Sequence, residues 1–215
     1  MQVEAESVGS AWITMQPRKV VKKMTIAKSK TLKAIAAVWV VAIITLCSIT
    51  AYAAYVTLSV PNIQQAKSQW CWAACVEMSA NYLGYDTYDQ WDIVNHVFGT
   101  TSNPYPDKPG GDAENNKGMK YATSNSYKTV FSTSLLSISS MNTEMTNKRP
   151  IIMAWGYYTN GKRTGGHENV IYAVDTSTKY LKLQDPDGTS NTVSYSSLTS
   201  SSTRKYDQTY KIAQN

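Results

Sequence analysis

Cys71 is the residue of this 215-residue chain best placed for nucleophilic chemistry. It stands between Trp70 and Trp72 at the predicted start of a helix, where the positive end of the helix dipole favours the thiolate, the nucleophilic form of cysteine. Cys75 follows one turn later and is interpreted as a small buried hydrophobic residue. Because two cysteines four positions apart on one helix have poor backbone geometry for a disulfide, Cys71 is predicted to carry a free thiol.

A thiolate nucleophile needs an imidazole to share its proton and a third group to orient that imidazole. Of the two histidines in the chain, His167 follows two glycines and opens an apolar run, which predicts a place at the start of a strand. His96 is interpreted as a surface or packing residue on a helix. Asp185 ends the next predicted strand and is the preferred orienting carboxylate. Asp187 is the alternative, although the Asp-Gly pair that it begins is typical of a turn.

Attack on a carbonyl also requires donors for the oxyanion that forms. The backbone N–H of Cys71 is one candidate, and a side-chain amide shortly before the helix would be the second. Gln64, Gln65 and Gln69 all precede the cysteine. Zinc is disfavoured because two cysteines on one helix and a distant histidine lack the usual ligand spacing and a clear fourth ligand. No metal or cofactor is predicted.

Helices that could position the thiol are predicted from Ser68 to about Ser124. The first carries Cys71 and ends at Gly84, a typical C-terminal glycine. The second starts at Thr87, with Gln90 completing a capping box, and ends at Gly99. A weaker third helix is predicted over Asp112 to Ala122.

The rest of the chain is predicted to be mostly strands, with one short helix around Met141 to Asn147. The β-branched and aromatic runs that predict strands are Ile151 to Tyr158, Asn169 to Asp175, Tyr180 to Gln184 and Thr192 to Tyr195. The serine and threonine cluster from Ser194 to Thr203 is interpreted as a mobile loop. Helices followed by strands in separate blocks predict an α+β fold, in which a helical N-terminal part packs on an antiparallel sheet.

The positive charge of the chain lies mainly in its first 53 residues. These hold 7 Lys and Arg against 2 Asp and Glu, so that residues 54–215 hold 14 against 13. A nucleic-acid-binding domain carries its positive charge on the folded part, and a nearly neutral domain gives no support to that function. No nucleic-acid partner is therefore predicted.

Residues 1–53 are predicted to be a signal peptide or an N-terminal membrane leader. Three lysines precede the apolar run Ala34–Cys47, and Ala51-Tyr52-Ala53 has the small-x-small pattern of a signal-peptidase site. Cleavage after Ala53 is the preferred outcome. An uncleaved anchor is the alternative, since about 20 apolar residues can span a bilayer. Met24 is a candidate start of translation. Either way, residues 54–215 are predicted to form a domain that is secreted or held at the extracellular face of the membrane.

Together these motifs resemble the papain-like cysteine proteases, in which a Gln lies six positions before a Cys that is followed by Trp-Ala. They are more narrowly similar to a bacterial papain-like family related to the bacteriocin-leader peptidases. The matching pairs outside the cysteine motif are Val60-Pro61, Arg149-Pro150, Gly166-His167 and Asp185-Pro186. The resemblance covers about residues 60 to 190. It implies that Cys71 is the nucleophile, His167 a general base and then acid, Asp185 the orienting group and Gln65 an oxyanion donor. Glu168 differs, since such proteins more often have an apolar residue after the histidine.

The leading functional hypothesis is an exported cysteine peptidase that acts through a thioester acyl-enzyme. A transglutaminase-like acyl transferase uses the same Cys-His-Asp set and is one alternative. A catalytically silent papain-fold binding module, with Cys71 and His167 in packing roles, is another. The expected partner is a protein or peptide substrate. Contact with the membrane is expected only through an uncleaved leader, and the protein is expected to be a monomer.

Overall fold

The computed structural model of the protein describes residues 54–215, except residues 101, 102 and 104. The predicted leader therefore lies outside the described residues, and its cleavage or anchoring stays a prediction. Within the described residues, no helix is long and apolar enough to cross a membrane.

Five helices occur in the described part of the chain. They are α1 (Cys71–Tyr82), α2 (Gln90–Phe98), α3 (Asp112–Ala122), α4 (Ile138–Thr146) and α5 (Ser197–Ser200). Helix α3 has the predicted bounds. Helix α4 begins three residues earlier than predicted because the Oγ of Ser137 accepts a hydrogen bond from the N–H of Ser140 and so caps the helix.

Helix α1 is buried on most of its surface and ends where a glycine was predicted to end it. Gly84 has a φ of 89°, a conformation that residues with a Cβ rarely adopt. The N–H of Tyr85 donates to the carbonyl of Ala80, and the N–H of Gly84 donates to the carbonyl of Asn81. This Schellman pattern pairs carbonyl groups that would otherwise be left unpaired at the helix end.

Helix α2 starts later than predicted. The capping box is made by Asp89 and Asp92 rather than by Thr87 and Gln90. The amide of Gln90 instead accepts from the N–H of Ala66 at 2.9 Å and donates to the carbonyl of Gln64 at 3.0 Å. Gln90 thus ties the start of α2 to the loop before Cys71, and this tertiary use of its amide explains the wrong prediction.

The described strands form one seven-stranded antiparallel sheet. Six of them follow the order β2-β7-β3-β4-β5-β6, and β1 pairs with the end of β4. The strands are β1 (Tyr55–Thr57), β2 (Tyr127–Ser132), β3 (Ile151–Thr159), β4 (Lys162–Asp175), β5 (Tyr180–Gln184), β6 (Ser190–Ser194) and β7 (Arg204–Gln214). Strand β5 has the predicted bounds, whereas β4 begins seven residues before Asn169. His167 is consequently inside a strand rather than at its start.

The segment from Ser194 to Thr203 is not the mobile loop that its composition suggests. It contains the short helix α5, whose Leu198 is fully buried, and it leads directly into β7. Strand β7 lies between β2 and β3 and was not predicted, because lysine, aspartate and glutamine interrupt its apolar positions.

The core lies between the first three helices and the sheet. Helix α1 packs against β3, β4 and α3. The largest fully buried side chains include Trp70, Trp72, Met78, Ile93, Met119, Ile151, Ile152 and Ile171. The fold is therefore α+β, as predicted, with the cysteine helix of the N-terminal part packed on an antiparallel sheet.

Candidate active site

The nucleophile candidate is the first residue of α1. Cys71 is partly exposed, and the helix starts without a side-chain cap. The N–H groups of a first helical turn have no acceptor within the helix, so an uncapped start leaves them free to stabilise negative charge. The structure thus places Cys71 at the positive end of an uncapped helix dipole.

Two buried indoles fix the position of this helix start. Trp70 donates from Nε1 to the carbonyl of Pro106 at 3.0 Å, and Trp72 donates to the carbonyl of Lys108 at 3.2 Å. Asp107, between those two carbonyls, accepts from Ser68 Oγ at 2.7 Å. The loop before α3 is therefore attached to the chain on both sides of Cys71, and the thiol has little freedom to move.

His167 and Asp185 meet because β4 and β5 are neighbouring strands. Asp185 follows directly on β5, and its Oδ1 lies 2.7 Å from His167 Nε2. The same oxygen accepts from the N–H of Asp187 at 3.0 Å. The side chain of Asp187 is used otherwise, since its Oδ1 accepts from the N–H of Thr189 at 2.8 Å. Of the two candidate carboxylates, the structure brings Asp185 to the imidazole.

The pKa values of His167 and Asp185 are shifted in opposite directions by their neighbours. Burial opposes the protonation of His167, but hydrogen bonds to Asp185 and Cys71, with the negative charge of both groups, raise the pKa of His167 to about 10. Burial alone would raise the pKa of Asp185, yet hydrogen bonds from His167 and from the N–H of Asp187 hold it below its usual value. At neutral pH the imidazole is therefore protonated beside the cysteine.

Trp155 on β3 and Asn169 on β4, which were not predicted from the sequence, lie next to His167 in the sheet. Asn169 is buried and its Oδ1 accepts from Trp155 Nε1 at 2.6 Å, while its Nδ2 has no hydrogen-bond partner among the described residues. The guanidinium of Arg204 lies 4.4 Å from the indole ring centre of Trp155 and covers it. Period-two spacing from His167 puts Asn169 on the same face of the strand, and that signal could have found it.

The three glutamines before the helix occupy different places. Gln65 donates from Nε2 to the carbonyl of Lys67 at 2.8 Å and to that of Ser68 at 3.0 Å, so both of its amide hydrogens have acceptors. Gln69 lines the cleft beside Cys71. The side chain of Gln64 lies near Gly188. The oxyanion role of Gln65 stays a prediction, and Gln69 is the glutamine that the structure brings into the cleft.

The cleft beside Cys71 and His167 has a volume of about 390 Å³. Most of its lining is polar, and two stretches with little side chain, Gly165–Gly166 and Gly110, form part of its walls. A Cβ on Gly110 would lie 2.4 Å from the indole of Trp72, so the wall can approach the helix this closely only because the residue is glycine. An extended peptide backbone can enter such a cleft alongside the thiol.

The remaining cysteine and histidine of the described region lie outside this arrangement. Cys75 is fully buried with a free thiol, and burial, with Glu168 nearby, raises its pKa well above the usual value. His96 is exposed and stacks on the ring of Tyr121, with ring centres 4.0 Å apart. Both were interpreted in this way from the sequence. No group of three or more potential metal-binding side chains occurs in the part of the chain that the structure describes.

A cysteine helix packed on an antiparallel sheet, with a histidine near the cysteine and an aspartate hydrogen-bonded to that histidine, is the arrangement expected of a papain-like cysteine peptidase. The profile of the Peptidase_C39 like family matches residues 57–215, a range that contains every residue of the candidate site. The chain therefore belongs to this family of cysteine peptidases.

Comparisons with individual proteins add less. No curated protein sequence matches the chain. Fifteen chains of solved structures match it. One is xylellain, a cysteine protease from Xylella fastidiosa, with 13% identity and a TM-score of 0.44 over 76% of this chain and 87% of xylellain.

Proposed function

We propose that the protein is an exported cysteine peptidase that hydrolyses peptide bonds through a thioester on Cys71. The observation that carries the proposal is the 2.7 Å contact between His167 and Asp185 beside a cysteine at an uncapped helix start. Membership of the Peptidase_C39 like family supports the same chemistry.

In the first half of the reaction, the Cys71 thiolate attacks the carbonyl carbon of the scissile bond. The charge that develops on the carbonyl oxygen is stabilised by the Cys71 N–H and by a glutamine amide, Gln65 or Gln69. The protonated ring of His167 gives its proton to the departing nitrogen, the C–N bond breaks and an amine leaves. The acyl group then remains on Cys71 as a thioester.

In the second half, His167 has lost its proton and can act as a base. It takes a proton from water, the oxygen attacks the thioester carbonyl and the C–S bond breaks to restore the thiolate. Asp185 holds the ring in one orientation through both halves and stabilises its positive charge when it is protonated. An amine in place of water would give acyl transfer by the same steps.

The proposed route to the exterior is cleavage after Ala53. The carbonyl of Ala54 accepts from the N–H of Thr176 at 2.6 Å, and Tyr55 begins strand β1. A chain that begins at Ala54 would therefore keep every backbone contact of β1. Intact-mass measurement of the protein from the culture medium tests this proposal. A species that starts at Ala54 supports it, and a chain found only in membranes with residues 34–53 present contradicts it.

Alkylation tests the nucleophile without any knowledge of the substrate. In the native protein, iodoacetamide should modify Cys71 far faster than Cys75, because Cys71 is partly exposed at a helix start and Cys75 is fully buried. Peptide mapping by mass spectrometry gives the two rates. The matched controls are Cys75→Ala, which should leave the fast reaction in place, and Cys71→Ala, which should remove it. Equal rates for the two thiols would overturn the assignment.

A screen of peptides with the parent protein and Cys71→Ala then tests the reaction itself. Hydrolysis gives two products whose masses add to that of the peptide plus water. A product joined to an added amine would indicate acyl transfer instead. An alkylation-competent Cys71 that forms no acyl-enzyme with any peptide would favour a binding module.

A further inference from the structure

The inner wall of the catalytic cleft contains an acidic side chain that the reaction does not use. Glu168 on β4 pairs in register with Ala154 on β3, which in turn pairs with Gln208 on β7. Cross-strand partners project to the same face of a sheet. All three residues line the cleft beside Cys71. Because the middle residue is an alanine, it leaves space between the two longer polar side chains.

The carboxyl of Glu168 has a single hydrogen-bond partner among the described residues. Its Oε1 accepts from Asn115 Nδ2 at 3.0 Å, and its buried Oε2 accepts from no donor. Glu168 is 4% exposed and forms no salt bridge in the described region. Arg163, a cation that also lines the cleft, has its Nε on Asp207 at 2.8 Å.

The groups around Glu168 come from every neighbouring element, and none of them is a free cation. Cys75 of α1, Asn115 of α3 and Tyr210 of β7 face it, and His167 adjoins it on its own strand. Burial raises the pKa of Glu168 to about 8, against smaller opposing effects of the Asn115 hydrogen bond and the charge of His167. In the free protein at neutral pH the carboxyl is mostly protonated.

A carboxyl group in this position destabilises the fold. A buried carboxyl with an unpaired oxygen costs free energy that an apolar side chain would not cost. The cost is recovered when a cation enters, because the carboxylate then gains a charged partner in a site shielded from water. The cleft volume of about 390 Å³ has room for one long side chain.

We propose that Glu168 makes the cleft selective for a substrate with a lysine or arginine side chain close to the scissile bond. The proposal rests on the proposed peptidase function and adds the substrate class. Because Glu168 lies below the surface of the cleft, a cation must stand at the end of a long flexible chain to reach it. When the cation binds below pH 8, Glu168 releases its proton to solvent and the two charges pair.

Peptidyl electrophiles that alkylate Cys71 test the proposal directly. Two probes share one backbone and one reactive group, and differ only in lysine against the isosteric but uncharged norleucine. Two such pairs are made. In one pair the variable residue directly precedes the reacting carbon, and in the other it lies one residue further toward the amino end. At pH 8 we expect the lysine probe of one pair to inactivate the parent at least about 10-fold faster, a difference of about 1.4 kcal/mol.

Glu168→Gln is the variant that removes the charge and keeps the shape. It should lower the lysine-to-norleucine ratio to about one. Glu144→Gln is the matched control, because Glu144 pairs with Arg149 away from the cleft, and it should keep the parent ratio. In the parent, the ratio should rise between pH 6 and 8.5 as Glu168 ionises more easily. In Glu168→Gln the ratio should stay flat.

The outcomes separate this proposal from the proposed function. If Cys71 reacts with iodoacetamide and with both probes but the ratio is about one, or survives in Glu168→Gln, the selectivity proposal is wrong and the peptidase proposal stands. If Cys71 reacts with no electrophile faster than Cys75 does, the peptidase proposal is wrong and the selectivity proposal is overturned with it.

Discussion

Two adjacent residues of β4, His167 and Glu168, show how little burial alone decides the charge of a side chain. Glu168 is buried and His167 is partly buried, and both have a pKa that lies above the usual value. His167 is nevertheless held in its charged form and Glu168 in its neutral form. Alternation along the strand turns the two side chains in opposite directions, so that they border the same cleft but meet different partners.

The neighbouring groups explain why His167 is charged and Glu168 is neutral. Burial opposes the charge of His167, but Asp185 and Cys71 offer two negative groups and raise the pKa of the ring to about 10. For Glu168, burial raises the pKa to about 8, and the amide of Asn115 is too weak a donor to reverse this effect. The catalytic side of the strand therefore has its counter-ions built in. The other side lacks one, and we propose that the substrate supplies it.

The largest expected effect comes from removing His167, the residue that is held in its charged form. His167→Ala leaves Cys71 without a proton partner, so that kcat/KM should fall by about 10⁴ or more, and combining it with Cys71→Ala should cost little more than either change alone. Peptide hydrolysis measures the effect. His96→Ala is the matched control, since His96 is exposed and stacked on Tyr121, and its activity should equal that of the parent. A fully active His167→Ala would overturn the peptidase proposal.

Gln65 and Gln69 extend the comparison to side chains that never ionise. Gln65→Ala should lower kcat by about 10²–10³, as expected when one oxyanion donor is lost. The rate of Cys71 alkylation by iodoacetamide should not change, because that reaction develops no oxyanion. To act as a donor, Gln65 Nε2 must exchange one of its carbonyl acceptors for the oxyanion.

Gln69→Ala is the paired variant, and its effect should be much smaller. The reverse result, with Gln69→Ala slow and Gln65→Ala close to the parent, would assign the donor role to the glutamine that already lines the cleft. Both variants are measured with one peptide substrate, so that the ratio of the two kcat values decides between them.

The parts of this site that could be predicted depend on local chemistry. The Asp-Gly turn signal separated Asp187, whose side chain binds Thr189, from Asp185, which meets the histidine. The C-terminal glycine of α1 was found because few other residues adopt its φ of 89°. In each case the physical cause lies within a few residues of the signal.

The parts that could not be predicted depend on distant partners. Gln90 looked like half of a capping box, but its amide is used by the loop 24 to 26 residues earlier. Strand β7 has few apolar positions, and its place in the sheet comes from pairing with both β2 and β3. Glu168 was seen to be unusual after a histidine, but its unpaired oxygen becomes visible only once Asn115 and the cleft are in place.

Asp185 tests whether the hydrogen bond or the charge holds His167 in its active form. Asp185→Asn keeps an acceptor oxygen and should preserve much of the activity, whereas Asp185→Ala should lose about 10²-fold. Burial opposes the charge of His167 and Asp185 counters it, so the neutral asparagine should lower the pKa of His167 from about 10. The alkaline loss of activity should then move to lower pH, and a pH profile of kcat/KM measures it.

Asp187→Asn is the matched control for this pair, because its side chain binds the Thr189 turn rather than the imidazole. Its pH profile should coincide with that of the parent. An Asp185→Asn profile that also coincides with the parent would mean that the charge of Asp185 does not set the protonation of His167.

The remaining expected effect is on stability, and it tests Glu168, the neutral residue of the two, without any substrate. Because burial raises the pKa of folded Glu168 to about 8 from an ordinary value of 4.5, the folded protein keeps a proton that the unfolded chain has already lost between those pH values. The parent therefore loses stability from this group as pH rises from about 4.5 to 8. Glu168→Gln is neutral throughout and escapes that loss. Its melting temperature relative to the parent should rise by about 10 °C between pH 5 and 8.5, because the loss amounts to about 4 kcal/mol at about 2–4 °C per kcal/mol for a protein of this size.

The high pKa of His167 also lowers stability as pH rises toward 10, but it does so in parent and variant alike and cancels in the difference. Glu144→Gln serves as the control once more, because Glu144 pairs with Arg149 away from the cleft, and it should not show this rise relative to the parent. Parallel melting curves for Glu168→Gln and the parent across this range would mean that Glu168 is already ionised in the free protein. It would then have a cationic partner before any substrate binds, and the contrast between the two faces of β4 would be lost.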